Sequence, residues 1–147
     1  MSEIKTIVFP TDFSEASLAA LSWAKRFAAM FDADLHCVYV VEEPRIYAAF
    51  DMASVPMPSL EELGNNAQSR LDEFVKEHFS GANGTAVAKV LVGRPANEIA
   101  EYADSMDAAM IIMATHGFSG VKHVLLGSTT EAVQRQASSP VLSISSG

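Results

Sequence analysis

At 147 residues, 49% of them hydrophobic, the chain is long enough for one substantial core and too apolar to be mainly disordered, so one domain over 1–147 is expected. No apolar run approaches the roughly 18 residues that cross a membrane, and no signal peptide is visible, which points to a cytoplasmic protein without membrane insertion. The net charge of −8 argues against general nucleic-acid binding, and the lone Cys37 excludes an intrachain disulfide and any C-x-x-C redox or zinc motif.

Ile4 to Phe9 is a short apolar run with β-branched residues and predicts a first strand over about 4–9. Pro10-Thr11-Asp12-Phe13-Ser14 follows it. A carboxylate at the carboxyl end of a first parallel strand lies where open α/β sheets bind ligands, so Asp12 suits an acceptor for a base amino group or a ribose hydroxyl. Asp12 and Glu15 also have the spacing of a capping box, and the two readings stand side by side. The first helix is expected over about 14–31, with Leu18, Leu21, Ala24, Ala28 and Phe31 inward at helical spacing. The second strand covers about 34–41, and Cys37 within it reads as a buried, inert thiol.

Glu42 to Pro58 is the least regular segment, because Pro44, Pro56 and Pro58 oppose a single long helix. It carries Ile46, Tyr47, Phe50, Met52 and Met57, a composition that suits either a loop folded over its own apolar cluster or a contact with ligand or a second subunit. The second helix starts at Ser59, with Glu62 in capping-box register, and presents Leu60, Leu63, Ala67, Leu71, Phe74 and Val75 on one face. Asn83-Gly84 turns the chain into a third strand over about 85–92. Pro95 suits the first turn of the third helix, which shows Ile99, Ala100 and Ala103 inward and Glu98, Glu101 and Asp104 outward.

The fourth strand, about 108–114, leads into the most informative stretch. Met110, Ile111, Ile112 and Met113 end at small Ala114; a polar loop bearing Gly117 and Gly120 follows; Gly127-Ser128-Thr129-Thr130 then opens a fourth helix over about 127–138. Strand, small-residue loop and helix start together suit a phosphate, because the first helical turn offers backbone N–H groups and the positive end of the dipole. Gly117 and Gly127 leave room for close backbone approach, and Ser128, Thr129 and Thr130 add hydroxyls able to donate to phosphate oxygens. Taken singly, these glycines fit plain turns and a capped helix equally well. The loop lacks the lysine of G-x-x-x-x-G-K-[ST], so it is not a standard P-loop. With a net negative chain, phosphate must be attracted locally, by backbone N–H groups, by a divalent cation bound through the phosphates, or by Lys122. A fifth strand, about 140–145, begins at Pro140; Val141, Leu142 and Ile144 make it apolar.

Alternating strands and helices imply a parallel sheet covered by helices on both faces. The segments Ile7-Val8-Phe9-Pro10-Thr11-Asp12-Phe13-Ser14, Val38-Tyr39-Val40-Val41, Val92-Gly93-Arg94-Pro95, Met113-Ala114-Thr115-His116-Gly117, Gly127-Ser128 and Ser139-Pro140-Val141-Leu142 make the chain resemble the universal stress protein family over essentially its whole length. That family's nucleotide-binding branch carries G-x2-G-x9-G-[S/T]; here Gly117, Gly127 and Ser128 match it, and Ala114 replaces the first glycine. The resemblance implies an open, doubly wound α/β fold with strand order 3-2-1-4-5, which sets the ends of strands one and four side by side at the topological switch point. It further implies ATP, or AMP or ADP, with Pro10, Thr11, Asp12 and Val40 around adenine and ribose, Met113, Ala114, Thr115, His116 and Gly117 on the other wall, and Gly127, Ser128, Thr129 and Thr130 at the phosphates. It also implies a homodimer through antiparallel pairing of strand five.

Catalytic constellations are sparse. His36, His78, His116 and His123 show no metal-ligand spacing, and no G-x-S-x-G elbow occurs. A response-regulator receiver would need an acceptor Asp at the end of strand three, where this chain has Val92-Gly93-Arg94. With no general base or transition-state Lys or Arg placed by motif, little or no nucleotide hydrolysis is expected. Three functions follow: a nucleotide-binding stress or regulatory protein, an interaction module of the same fold without nucleotide, towards which Ala114 points, and a slow ATPase.

Overall fold

The computed structural model describes residues 3–42, 58–79, 84–115 and 126–145. Along them strands and helices alternate as β1 (Thr6–Pro10), α1 (Glu15–Phe31), β2 (Asp34–Val41), α2 (Leu60–Phe79), β3 (Ala86–Val92), α3 (Pro95–Ser105), β4 (Met110–Ala114), α4 (Ser128–Gln136) and β5 (Val141–Ile144). The strands form one parallel sheet in the order β3-β2-β1-β4-β5, the expected order. The five strands, α1 and α4 fall within two residues of their sequence-based bounds, α2 starts one residue after Ser59, and α3 starts at Pro95. Most of the segment from 42 to 58 lies outside the described residues.

Successive strand residues point to opposite faces, and both faces are covered. Ile7, Phe9, Leu35, Cys37 and Ile112 pack against α1 and α2 on one face. Val8, Val38, Ile111 and Met113 pack against α3 and α4 on the other. This double burial is why the strands read as near-continuous apolar runs. Cys37 is fully buried, and burial pushes its thiol pKa up to about 12, as its sequence context suggested.

Two helix faces differ from the expected ones. The inward line of α1 is Ser17, Ala20, Leu21, Ala24 and Ala28, whereas Leu18 and Phe31 are exposed. Small residues let the helix sit close on the sheet, and the bulky ones were displaced to the flanks. On α2, Ala67, Leu71 and Phe74 are buried, but Leu60, in the first turn, is exposed. The starts of α2 and α3 hold as read: the Ser59 hydroxyl accepts the Glu62 N–H at 3.1 Å, and Pro95 opens α3 above buried Ile99, Ala100 and Ala103.

Candidate functional site

The register of the sheet makes a crevice. β1 stops pairing with β2 at Pro10↔Val38, but β2 continues along β3 to Val41↔Val92. Tyr39, Val40 and Val41 therefore stand beyond the end of β1 as one wall. β4, on the other side of β1, rises to Ala114 as the second. The helix starts of α1, α2, α3 and α4 all lie at this carboxyl end, as right-handed crossovers in a parallel sheet require.

The turn after β1 is closely tied. The Thr11 N–H donates to the Val38 carbonyl at 2.9 Å. The buried Thr11 Oγ1 accepts the Phe13 N–H at 3.0 Å and lies 2.5 Å from Ser17 Oγ. Asp12 Oδ1 accepts the Ser14 N–H at 2.9 Å. The N-cap of α1 is Ser14, whose side chain accepts from the Ser17 N–H at 3.2 Å, so the capping-box reading of Asp12 with Glu15 is corrected. Asp12 stands two residues before the cap and closes an Asx turn there. Phe13 between them takes the left-handed conformation, with φ of 66°. Its ring is held by Tyr39 at 5.0 Å and Phe74 at 5.5 Å between centroids, with the Arg70 guanidinium 4.2 Å from the ring centre.

Across the crevice, the end of β4 and the start of α4 are joined directly. The Gly127 N–H donates to the Thr115 carbonyl at 2.6 Å, and the buried Thr130 hydroxyl donates to the Ala114 carbonyl at 2.8 Å. Thr130 was expected to offer its hydroxyl to phosphate. A hydroxyl has one proton, and here it is committed to the strand, so Thr130 fixes the helix start instead. Gly127 is the N-cap, with φ of −69°, so no left-handed backbone requires glycine there. The first intrahelical bond runs from the Glu131 N–H to the Gly127 carbonyl at 3.0 Å. The N–H groups of Ser128, Thr129 and Thr130 thus lie outside the helical ladder, at the positive end of the dipole, and the side chains of Ser128 and Thr129 are exposed.

Between these walls lies a cleft of about 610 Å³, within the roughly 300–1,000 Å³ of small-molecule sites. Pro10, Thr11, Asp12, Val40, Met113, Ala114, Thr115, Gly127, Ser128, Thr129 and Thr130 all line it. The remaining candidates, His116 and Gly117, and Gly120 and Lys122 with them, lie outside the described residues. The cleft is also lined by Ser17, Val38, Tyr39, Val41, Glu42, Leu63, Pro95 and Ile99, which the sequence reading did not assign to it. Tyr39 and Val41 flank Val40 on one strand end and were within reach of the sequence. Leu63, Pro95 and Ile99 come from helices whose position over the crevice only the fold decides. No described lining residue is basic, and Asp12 and Glu42 are acidic. Among the described residues, what the cleft offers an anion is backbone N–H groups rather than side-chain cations.

The other described histidines serve elsewhere. His36 Nδ1 lies 2.7 Å from the Tyr102 hydroxyl, and burial lowers its pKa against the opposing influence of Asp34. His78 packs its ring against Phe74. Among the described residues no group of three or more His, Cys, Asp or Glu side chains is placed to hold a metal ion, and no helix is long and apolar enough to cross a membrane.

The universal stress protein family model matches residues 3–145. Among curated relatives, universal stress protein MJ0531 of Methanocaldococcus jannaschii is 36% identical over 140 residues, covering 94% of this chain and 80% of the relative. Universal stress protein MJ0577 of the same organism is 32% identical, covering 94% of this chain and 93% of the relative. The solved structure of MJ0577 superposes with a TM-score of 0.80 at 28% identity, covering 99% of both chains. A universal stress protein solved in complex with cAMP has the same fold, with a TM-score of 0.72 at 24% identity, covering 97% of this chain and 98% of that one.

Proposed function

This chain belongs to the universal stress protein family, and we propose that it binds an adenine nucleotide, ATP or its relatives AMP and ADP, in the cleft between the ends of β1 and β4. The protein would then be a cytoplasmic stress-response or regulatory protein with little or no hydrolysis. The observation that carries this reading is convergence: residues from β1, β2, β4 and α4, far apart in sequence, line one cleft of nucleotide size. That a protein of the same fold holds cAMP supports adenine as the base.

In this reading Pro10, Thr11, Asp12 and Val40 surround adenine and ribose, and Met113, Ala114 and Thr115 form the opposite wall. His116 and Gly117 join them on the family motif alone. The N–H groups of Ser128, Thr129 and Thr130, with the Ser128 and Thr129 hydroxyls, take the phosphates, and a divalent cation bound through those phosphates supplies further positive charge. The described lining residues include no basic side chain to stabilise a phosphoryl transition state, which supports binding with little or no turnover.

The same reading includes a homodimer through β5. This strand is a sheet edge and carries no charged residue, whereas β3, the opposite edge, carries exposed Lys89. An apolar edge is an aggregation liability unless it is covered, and a two-fold pairing of Val141, Leu142 and Ile144 with a second copy covers it.

The test is the ultraviolet spectrum of the purified protein, identification of any released base, and calorimetric titration of stripped protein with ATP and AMP. Adenine nucleotide released or bound supports the reading. Absence of both leaves the interaction module of the same fold. Phosphate release above that of a Gly127→Val control would favour the slow ATPase.

A further inference from the structure

Bulky apolar residues on one flank of α1 are left partly or largely outside the core. Trp23 is 43% exposed, Phe31 39% and Met30 72%, and Phe27 is half-buried. Trp23, Phe27 and Phe31 recur every fourth residue and form a ladder, with ring centroids 6.5 and 6.1 Å apart; the Arg26 guanidinium sits 5.1 Å from the Trp23 ring centre.

The direction of this ladder is fixed by its surroundings. On the opposite flank of α1, Lys25 reaches α2, donating to the His78 carbonyl at 2.7 Å. α2 covers β2 and β3, while α1 packs chiefly on β4 and reaches β5. The aromatic flank therefore faces the β5 edge, on the sheet face where Leu142 and Ile144 pack with α1.

We propose that Trp23, Phe27 and Phe31 form the part of the self-association surface that seats against the same flank of a second copy of this chain. The inference rests on the dimer reading above and specifies what completes it. β5 has four residues, far short of the roughly 20–30 residues a side of a stable interface, so pairing of the edge strands needs adjoining surface. A two-fold axis normal to the sheet at paired β5 strands puts both α1 helices on one face, facing each other. Strands lie about 4.8 Å apart, so helices over the two β4 strands stand about 14 Å apart, against the 8–10 Å of direct helix packing. Trp and Phe side chains span that gap and small ones do not.

The backbone of β5 is set for this pairing. The carbonyls of Pro140 and Ile144 accept from the N–H groups of Ile111 in β4 and of Thr115 just after it. By alternation, the N–H and C=O groups of Val141 and Ser143 point to the open edge. Ser143→Pro therefore removes an edge donor and spares the β4 ladder.

Trp23 is the only tryptophan, so its fluorescence reads the proposed surface directly. The experiment is a dilution series of the full chain followed by sedimentation and by Trp23 emission and acrylamide quenching in the same samples. Expected are a blue shift and at least twofold less quenching in the dimer, loss of the dimer in Ser143→Pro, and at least tenfold weaker dimerisation in Phe31→Ser with an unchanged circular dichroism spectrum. A dimer whose Trp23 stays as accessible as in the monomer, with Phe31→Ser dimerising like the parent, overturns this inference and leaves the β5 dimer standing. A monomer throughout the series overturns both.

Discussion

The hydroxyl of Thr130, in the first turn of α4, donates to the carbonyl oxygen of Ala114, the last residue of β4, at 2.8 Å. This bond ties the start of α4 to the end of β4, and both ends line the cleft. Thr130→Val keeps the shape and leaves a carbonyl short of its donor. It should cost about 1–3 kcal/mol of stability in urea unfolding. The ratio of ATP to adenosine affinity should stay as in the parent, because the hydroxyl points at the strand. A selective loss of ATP binding would return Thr130 to the phosphate.

Gly127→Val should weaken ATP binding far more than adenosine binding, since a side chain at the N-cap holds the anion away from the N–H groups of Ser128, Thr129 and Thr130. Ala114→Gly, which restores the family's first glycine, should be neutral or mildly tightening. Titration of both variants with ATP, AMP and adenosine checks the order; parental ATP affinity in Gly127→Val would remove phosphate from this helix start.

Asp12→Ala should weaken adenine-nucleotide binding about tenfold or more and erode discrimination against GTP, from the loss of a hydrogen bond to a charged group worth roughly 1.5–3 kcal/mol. The lost Asx turn to Ser14 lowers stability as well, so calorimetry belongs at a temperature where the variant is folded. Unchanged affinity and base preference would leave Asp12 with the turn alone.

Phe13 at φ of 66° bears a conformational cost that glycine does not. Phe13→Ala and Phe13→Gly both lose the ring contacts with Tyr39, Phe74 and Arg70, and both should destabilise. The glycine variant should be the more stable of the two by about 1 kcal/mol. Paired urea denaturation curves measure the difference, and equal stabilities would show that the backbone relaxes out of the left-handed region.

Cys37 should resist thiol reagents at pH 8 until the chain is unfolded, because the thiolate is the reactive form and burial holds the pKa near 12. The native state keeps this proton more tightly than the unfolded chain, whose thiol ionises from about pH 9. The resulting stabilisation is complete below pH 9 and is lost progressively as pH rises towards 12. Cys37→Ala should flatten that part of the stability profile.

Much of the site was legible because its residues sit at element ends that local patterns mark: Asp12 after an apolar run, Val40 at the close of another, Gly127-Ser128 at a helix start. What those residues do with their polar groups was less so. Asp12 has capping-box spacing to Glu15 in the sequence, but the turn through a left-handed Phe13 gives the cap to Ser14. Thr130 resembles Ser128 and Thr129 in sequence, but one helical step turns it inward onto the Ala114 carbonyl.

The sequence by itself determined the succession of strands and helices, through apolar runs and helix-start signals that act over a few residues. With the family motif it also named most of the residues that line the proposed nucleotide cleft. Tertiary structure decided which side of α1 is buried, since Leu18, Leu21, Ala24, Ala28 and Phe31 fit helical periodicity as well as the observed line of small residues does. The deciding factor is distance: alanines let α1 close on the sheet, and Trp23 and Phe31 are left on the surface because they are too large to lie beneath it.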